Sequence, residues 1–452
     1  MNRQYYTCTF LLITLASLAS VGCGETQYRG TNPAIAKNGR SDATAPNSNR
    51  DVPVVASRAE SSPSVAVSPN SSADLSAVVK GLDEFSCDLF GSLSARRSGN
   101  LFFSPASIST ALAMTYAGAR GETEAQMADV LHFTLPQKRL HPVMRSLAGE
   151  LRRDDGGYRL LMANRLWGQR GVPFMPDFLE IIRENYGAEL GRLDFKTNSE
   201  SATETINKWV AEQTDNKIQQ LIARDVLDKL TQLVLVNAVY FKSKWASQFK
   251  TYNTSSTPFQ ISKTRKVDVP LMWQKDAFKY RAVKDLQILE LPFAGHGVSM
   301  IVLLPKTTDG LGELETRLNS ENLAKWLTGL QLQEVHVFLP RFRLTSQFQL
   351  NDVLLAMGMT SAFSPRTADL SRMTGEPNMF ISAVIHKAHV VVNEEGSQAA
   401  AATVVSEPKS APPRRKPKPT PVFRADHPIV FLIRHNKTGS ILFLGRLVDP
   451  RQ

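Results

Sequence analysis

Residues Gln232 to Phe241 read QLVLVNAVYF. Such a nearly continuous apolar run is what a strand covered on both faces uses. A chain built around it must therefore lay further structure on each side of a sheet. Asn237 is the lone amide in the run, and burying it without partners costs about 1–3 kcal/mol. A second strand, Ile381 to Asn393, offers a partner, because Val384, His386, Ala388, Val390 and Val392 share one of its faces. An Asn237–His386 hydrogen bond between adjacent strands satisfies both groups; a local bond or a water would also do so. His386 and His389 are three apart, so in a strand they face opposite sides and do not pair as metal ligands.

The other elements follow the same logic. Val298 to Leu304 and Val335 to Leu339 are further apolar strands, and Ile429–Arg434 and Ile441–Leu444 flank Asn436-Lys437-Thr438-Gly439, a hairpin signal. Leu75, Val78, Leu82, Phe85 and Leu89 recur at helical steps, with Asp74 placed to cap the start and Cys87 as a core or boundary thiol. Ser104 and Pro105 fit the N-cap and first position of a second helix carrying Ile108, Leu112 and Thr115. Further helices are expected near 122–131, 200–213 and 351–357. Helices early and strands late indicate a large α+β domain with extensive sheets. Three cysteines, Cys8, Cys23 and Cys87, build neither a disulfide framework nor a four-cysteine metal site. The net charge of +11 favours acidic partners without specifying a nucleic acid. The sequence has no Walker loop, dinucleotide glycine pattern, HExxH or GxSxG.

The first 22 residues read as an export signal, with Arg3, an apolar run from Phe10 to Ala19, and the small residues Ser20 and Gly22. Cys23 resembles the lipid-modified cysteine of a bacterial lipoprotein, although Ser20 stands where that family usually has Leu; ordinary cleavage near Gly22 is the other reading. Residues 23–74 are rich in Ser, Asn, Pro and Ala and form a linker without the apolar content to order itself. Export is therefore expected, to the extracellular space or to the cell envelope through a lipid anchor, the chain's only expected contact with a membrane.

After the strand ending at Asn393 the chain reads Glu394-Glu395-Gly396-Ser397-Gln398 and then Ala399, Ala400, Ala401, Ala402 and Thr403, followed by a Pro- and Lys/Arg-rich stretch as far as FRADHPIVFLIRH. These phrases, with FFSPASIST, LVLVNAVYFKSKW and ISAVIHKAHVVVNEEG, closely resemble the serpin family over about 75–450. The resemblance implies three β-sheets, eight to nine helices and an exposed reactive-centre loop at about 394–424. It also implies a suicide substrate and not an enzyme. A protease attacks the loop, forms an acyl-enzyme, and is trapped when the cut loop inserts into the main sheet. The hinge residues suit insertion: Ala is compact and a poor strand former while outside, Gly396 permits the pivot, and Ser397 and Thr403 are small. Non-inhibitory members usually spoil this segment with charged, bulky or Pro residues, and this chain does not.

The resemblance carries over further positions. Ser104, Ser107, Asn237 and His386 match the shutter of the central sheet, Trp245 the breach where the loop enters, and Arg341 with Glu394 a charged pair there. Counted along the family pattern from Glu394, the resemblance implies a scissile bond at Ser410–Ala411, or, with the hinge shortened by one, at Lys409–Ser410, the better bond for a trypsin-like protease; Arg414–Arg415 competes. A serine protease held as a covalent acyl complex is the expected partner, with cysteine proteases a further class, and no cofactor or metal is implied. The rival reading is a non-inhibitory binding protein whose basic Pro-rich loop contacts a polyanion or cell-wall polymer.

Overall fold

A computed structural model describes residues 72–152, 157–397 and 419–451. Its ten α-helices are α1 (Ser72–Ser94), α2 (Pro105–Tyr116), α3 (Gly121–Val130), α4 (Gln137–Leu151), α5 (Pro176–Tyr186), α6 (Phe195–Gln213), α7 (Leu311–Arg317), α8 (Ser320–Leu327), α9 (Asn351–Ala356) and α10 (Ser371–Thr374). The count exceeds the expected eight to nine; α7, α8, α9 and α10 are all short, from four to eight residues.

Among the described residues there are two hydrogen-bonded sheets. The six-stranded sheet runs β10 (Phe342–Gln349), β11 (Ile381–Val392), β4 (Leu233–Lys244), β2 (Tyr158–Gln169) and β3 (Gly191–Leu193), with the two-residue β12 (Gly396–Ser397) also on β4. The nine-stranded sheet runs β1 (Leu101–Phe103), β15 (Ile441–Leu447), β14 (Ile429–His435), β8 (Val298–Pro305), β7 (Leu286–Pro292), β6 (Lys266–Ala282), β9 (Gln331–Pro340) and β13 (Val422–Arg424), with β5 (Thr254–Gln260) on β6. The third sheet implied by the resemblance is not separate, and β6 supplies the reason. Its 17 residues pair with β7 only at Lys279–Ala282 but with β9 over Leu271–Tyr280, so one strand fuses two groups.

The doubly covered strand behaves as its pattern dictates. Leu233, Leu235, Val239 and Phe241 of β4 enter the larger core, while Val234, Val236 and Ala238 face the smaller one beneath Ile206 and Val210 of α6. Two helix starts differ from expectation. Helix α1 is described from Ser72, so Asp74 lies in its first turn, where it binds Arg139 at 2.5 Å. Helix α6 begins at Phe195, where Asp194 accepts from the Thr197 N–H. Its backbone breaks at Asn198, which caps the remainder by accepting from Ser201 N–H, and that second start is the one the periodicity registers. Cys87 is a buried free thiol, pushed up to about 12 first by burial and then by nearby Asp83 and Asp88.

Candidate functional site

Two polar clusters sit along the seam where β11 lies parallel to β4. Eight register pairs close this seam, from Ile381 opposite Leu233 to His389 opposite Tyr240. Near its middle, His386 stands beside Asn237, and the His386 Nδ1–H donates to Asn237 Oδ1. The other ring nitrogen accepts from the Ser104 backbone N–H at 3.1 Å, which fixes the tautomer. Asn237 Nδ2 donates to Ser107 Oγ at 2.6 Å and to Asn164 Oδ1 at 2.5 Å. Ser107 Oγ–H also reaches Asn164, at 3.0 Å. Ser104 Oγ, the cap of α2, accepts from Ser107 N–H and donates to Leu442 O at 2.7 Å. Every polar group named has a partner, so burial costs little. His386 is fully buried, and burial holds its imidazole down to about 3, neutral at ordinary pH.

The second cluster lies at the end of β11. Trp245 stacks on Phe293, ring centroids 4.5 Å apart, and its indole N–H donates to Asn393 O at 2.9 Å. Backbone N–H groups of Trp245 and Phe249 donate to the Glu395 and Glu394 carbonyls. The Glu394 side chain is buried and accepts from Thr254 Oγ1 at 2.7 Å and from Arg341 at 2.5 Å, while Arg341 is half exposed. Burial pushes the Glu394 carboxyl up, but the Thr254 hydroxyl and the Arg341 guanidinium outweigh it and hold it below the usual carboxylate range. The neighbouring Glu395 Oε2 is buried without a hydrogen-bond partner, an unfavourable arrangement at the root of the loop.

From here the chain turns back. Gly396 has φ +131° and, with Ser397, pairs antiparallel with Lys244 and Ser243 of β4. A Cβ at Gly396 would lie 2.4 Å from Ser243 O and 2.6 Å from Lys244 Cα, so both the dihedral and the close approach require glycine. Thus β4 is paired with β11 as far as Tyr240, and with the start of the loop segment at Ser243–Lys244. The far end of the segment is anchored on the other sheet. There β13 pairs parallel with His336–Phe338 of β9, Arg424 and His427 both bind Asp426 at 2.9 Å, and His427 Nε2–H donates to Pro305 O.

The serpin (serine protease inhibitor) family model matches residues 80–450. The chain belongs to the serpin family. The leukocyte elastase inhibitor of Sus scrofa is 44% identical over 375 residues, covering 81% of this chain and 97% of its own. The human leukocyte elastase inhibitor is 42% identical over 376 residues with the same coverage. Among solved structures, uncleaved ovalbumin superposes with a TM-score of 0.74 at 33% identity, covering 83% of this chain and all of its own.

The structure gathers Ser104, Ser107, Asn237 and His386 into one network and Trp245, Arg341 and Glu394 into the other, with Gly396 and Ser397 on β4. Sequence reasoning passed over Asn164, which sits opposite Asn237 on β2, and Thr254, which shares the Glu394 carboxylate. Ala399, Ala400, Ala401, Ala402, Thr403, the bonds at Lys409–Ser410–Ala411 and Arg414–Arg415, and Cys23 lie outside the described residues of this serpin. Among the described residues no group of His, Cys, Asp and Glu side chains could hold a metal ion, and no helix is long and apolar enough to cross a membrane.

Proposed function

We propose that this serpin is a suicide-substrate inhibitor of serine endopeptidases of the trypsin type. The observation that carries the reading is the antiparallel pairing of Gly396–Ser397 with Ser243–Lys244, just beyond the point where β11 and β4 part. Continued in the same direction, Ala399 to Thr403 would run antiparallel to both β4 and β11. Insertion would exchange one parallel ladder for two antiparallel ones, and antiparallel pairing is the more stable per residue. The Ala run supports this, since it offers small side chains to a crowded seam. In this reading the protein supplies a peptide bond, and the nucleophile belongs to the protease.

Lys409–Ser410 is the bond we favour for an acidic specificity pocket, with Ser410–Ala411 suited to a protease with a small one and Arg414–Arg415 as competitor. The name of the relatives points to elastase, so trypsin and elastase belong side by side in the test. Each is incubated with the intact protein, and a denaturing gel and the mass of the released C-terminal fragment are read. A covalent complex with trypsin and a fragment beginning at Ser410 is expected. Complete cleavage with no complex from either protease refutes inhibition and leaves the binding-protein reading, in which Arg414, Arg415, Lys416 and Lys418 hold a polyanion. Export with an acylated Cys23 belongs to the same proposal, and the mass of the mature N-terminus decides it.

A further inference from the structure

A cavity of about 1040 Å³ lies between α4, α5 and α10, and none of the seam residues lines it. Its size is at the upper end of what small-molecule sites occupy. Phe178 and Ile181 of α5 and Pro142 of α4 give it apolar walls. His141, also of α4, lines it. That ring is 3% exposed, its Nδ1 is bonded to Tyr186 Oη at 2.6 Å, and its Nε2 has no partner.

The pairing of these two groups sets what His141 has left over. Tyr186 and a neutral His141 bring one O–H and one N–H to a single contact. When Tyr186 donates to Nδ1, only one group is left over, an N–H at Nε2, and no lone pair is wasted. The opposite arrangement leaves both the phenol hydrogen and the Nε2 lone pair unmet, and costs more. Burial and the charge of Arg372 hold His141 down to about 4, so the ring is neutral near pH 7. The leftover donor asks for an acceptor.

Charge at the rim narrows the acceptor further. Arg120, Lys138, Arg139 and Arg372 all line the cavity. Arg139 is paired with Asp74 and Arg372 with Glu124. Exposed Arg120 and Lys138 make no ion pair among the described residues. Asp177 is the acid that remains at the rim. The 15-residue α4 begins here with Pro136 at its N-cap and no side-chain cap, so its positive end adds to the field. An apolar trough with a buried N–H donor and unpaired cations at its edge fits an anion with an apolar body.

We propose that this cavity binds an amphipathic carboxylate, with the alkyl or aryl part against Phe178 and Ile181 and the carboxylate near His141, Arg120 and Lys138. Sodium octanoate and 1-octanol, titrated into the full chain and followed by saturation-transfer NMR, test it. Octanoate is expected to saturate one site and to bind at least about tenfold tighter than the alcohol, as charge-assisted contacts require. Arg120→Ala with Lys138→Ala, both at exposed positions, should erase most of that preference, and Ile181→Trp should block both ligands by filling the trough. Absence of saturable octanoate binding, equal affinity for acid and alcohol, or octanoate binding that survives Ile181→Trp would each overturn the assignment.

Discussion

Protonating His386 should open the centre of the main sheet, and the effect can be sized. The ring is held at about 3 by burial, against 6.5 for a free imidazole. Between those values the unfolded chain carries more protons than the folded one, so this group's contribution is fully present above pH 6.5 and is lost as pH falls. Each pH unit is worth about 1.36 kcal/mol, so acidification to pH 4 removes on the order of 3 kcal/mol. The structural cause is plain. Nε2 accepts from Ser104 N–H, and a proton there sets two donors against each other between β11 and the start of α2. For a domain of this size, 3 kcal/mol corresponds to a melting-point drop of roughly 4 °C. His386→Gln keeps an amide able to reach Asn237 but does not titrate. Circular-dichroism melts of both proteins from pH 7 to pH 4 give the comparison. Other groups also titrate there: His141 with the same sign, and Asp83 with the opposite one because burial raises its carboxyl to about 7. Both are present in each protein and cancel in the difference. Parallel curves for the wild type and His386→Gln would refute the argument.

Gly396→Ala places a Cβ into the backbone of β4 and strains a φ of +131°, at a cost of about 1–3 kcal/mol from the dihedral alone. The hinge should leave β4, and more protease should escape per complex formed; an unchanged ratio of cleaved protein to complex on a gel counts against a role for that pairing. Arg341→Met leaves the buried Glu394 carboxylate with Thr254 as its remaining side-chain donor, and should destabilise by about 1–3 kcal/mol in urea at pH 7. The loss should shrink on acidification through the depressed Glu394 range, since that group's contribution vanishes once it is protonated. Protein nicked in its loop should melt about 10 °C above intact protein, because a strand of ten or so residues forms two ladders where one is broken, a net gain of one ladder and about 10 kcal/mol; equal melting points would remove the driving force.

What the sequence disclosed depended on contrast. Asn237 was visible because it interrupts an apolar strand, and His386 because its strand alternates cleanly around it. Asn164 makes two bonds in the same network, yet it sits in MANRLW, where polar and apolar residues mix and an amide stands out from nothing. The cap at Ser104 was legible as Ser-Pro before an apolar stripe, and the structure has it there. The start of α6 was not, because Asn198 restarts the helix and the stronger periodicity follows the restart. The joining of two strand groups through β6 was not legible either: it depends on which partner each part of a long strand meets, and alternation along one strand carries no such information. The Tyr186–His141 pair joins two helices through residues 45 positions apart and has no local signature at all.

On the proposed mechanism the two clusters would make the seam selective about when it opens. Separating β4 from β11 breaks the His386–Asn237 bond directly, because the two residues are register partners across the joint. That bond is supported from α2 through Ser104 and Ser107, so the seam is pinned in its middle while its upper end already accepts Gly396–Ser397. On the proposed mechanism the opening then has a direction, from the loop end downward, and each residue added replaces a pair as it is broken. In the intact chain the segment is held at both ends. Its other end is held by the pairing of β13 with β9 and by the Asp426–His427–Pro305 contacts, so extending the hinge along β4 pulls against a second sheet. Cutting between those anchors removes the opposition without changing a single contact in the seam. On the proposed mechanism the chemistry that starts the motion and the contacts that restrain it are separate, so a protease, and not thermal opening at His386, would decide when it happens.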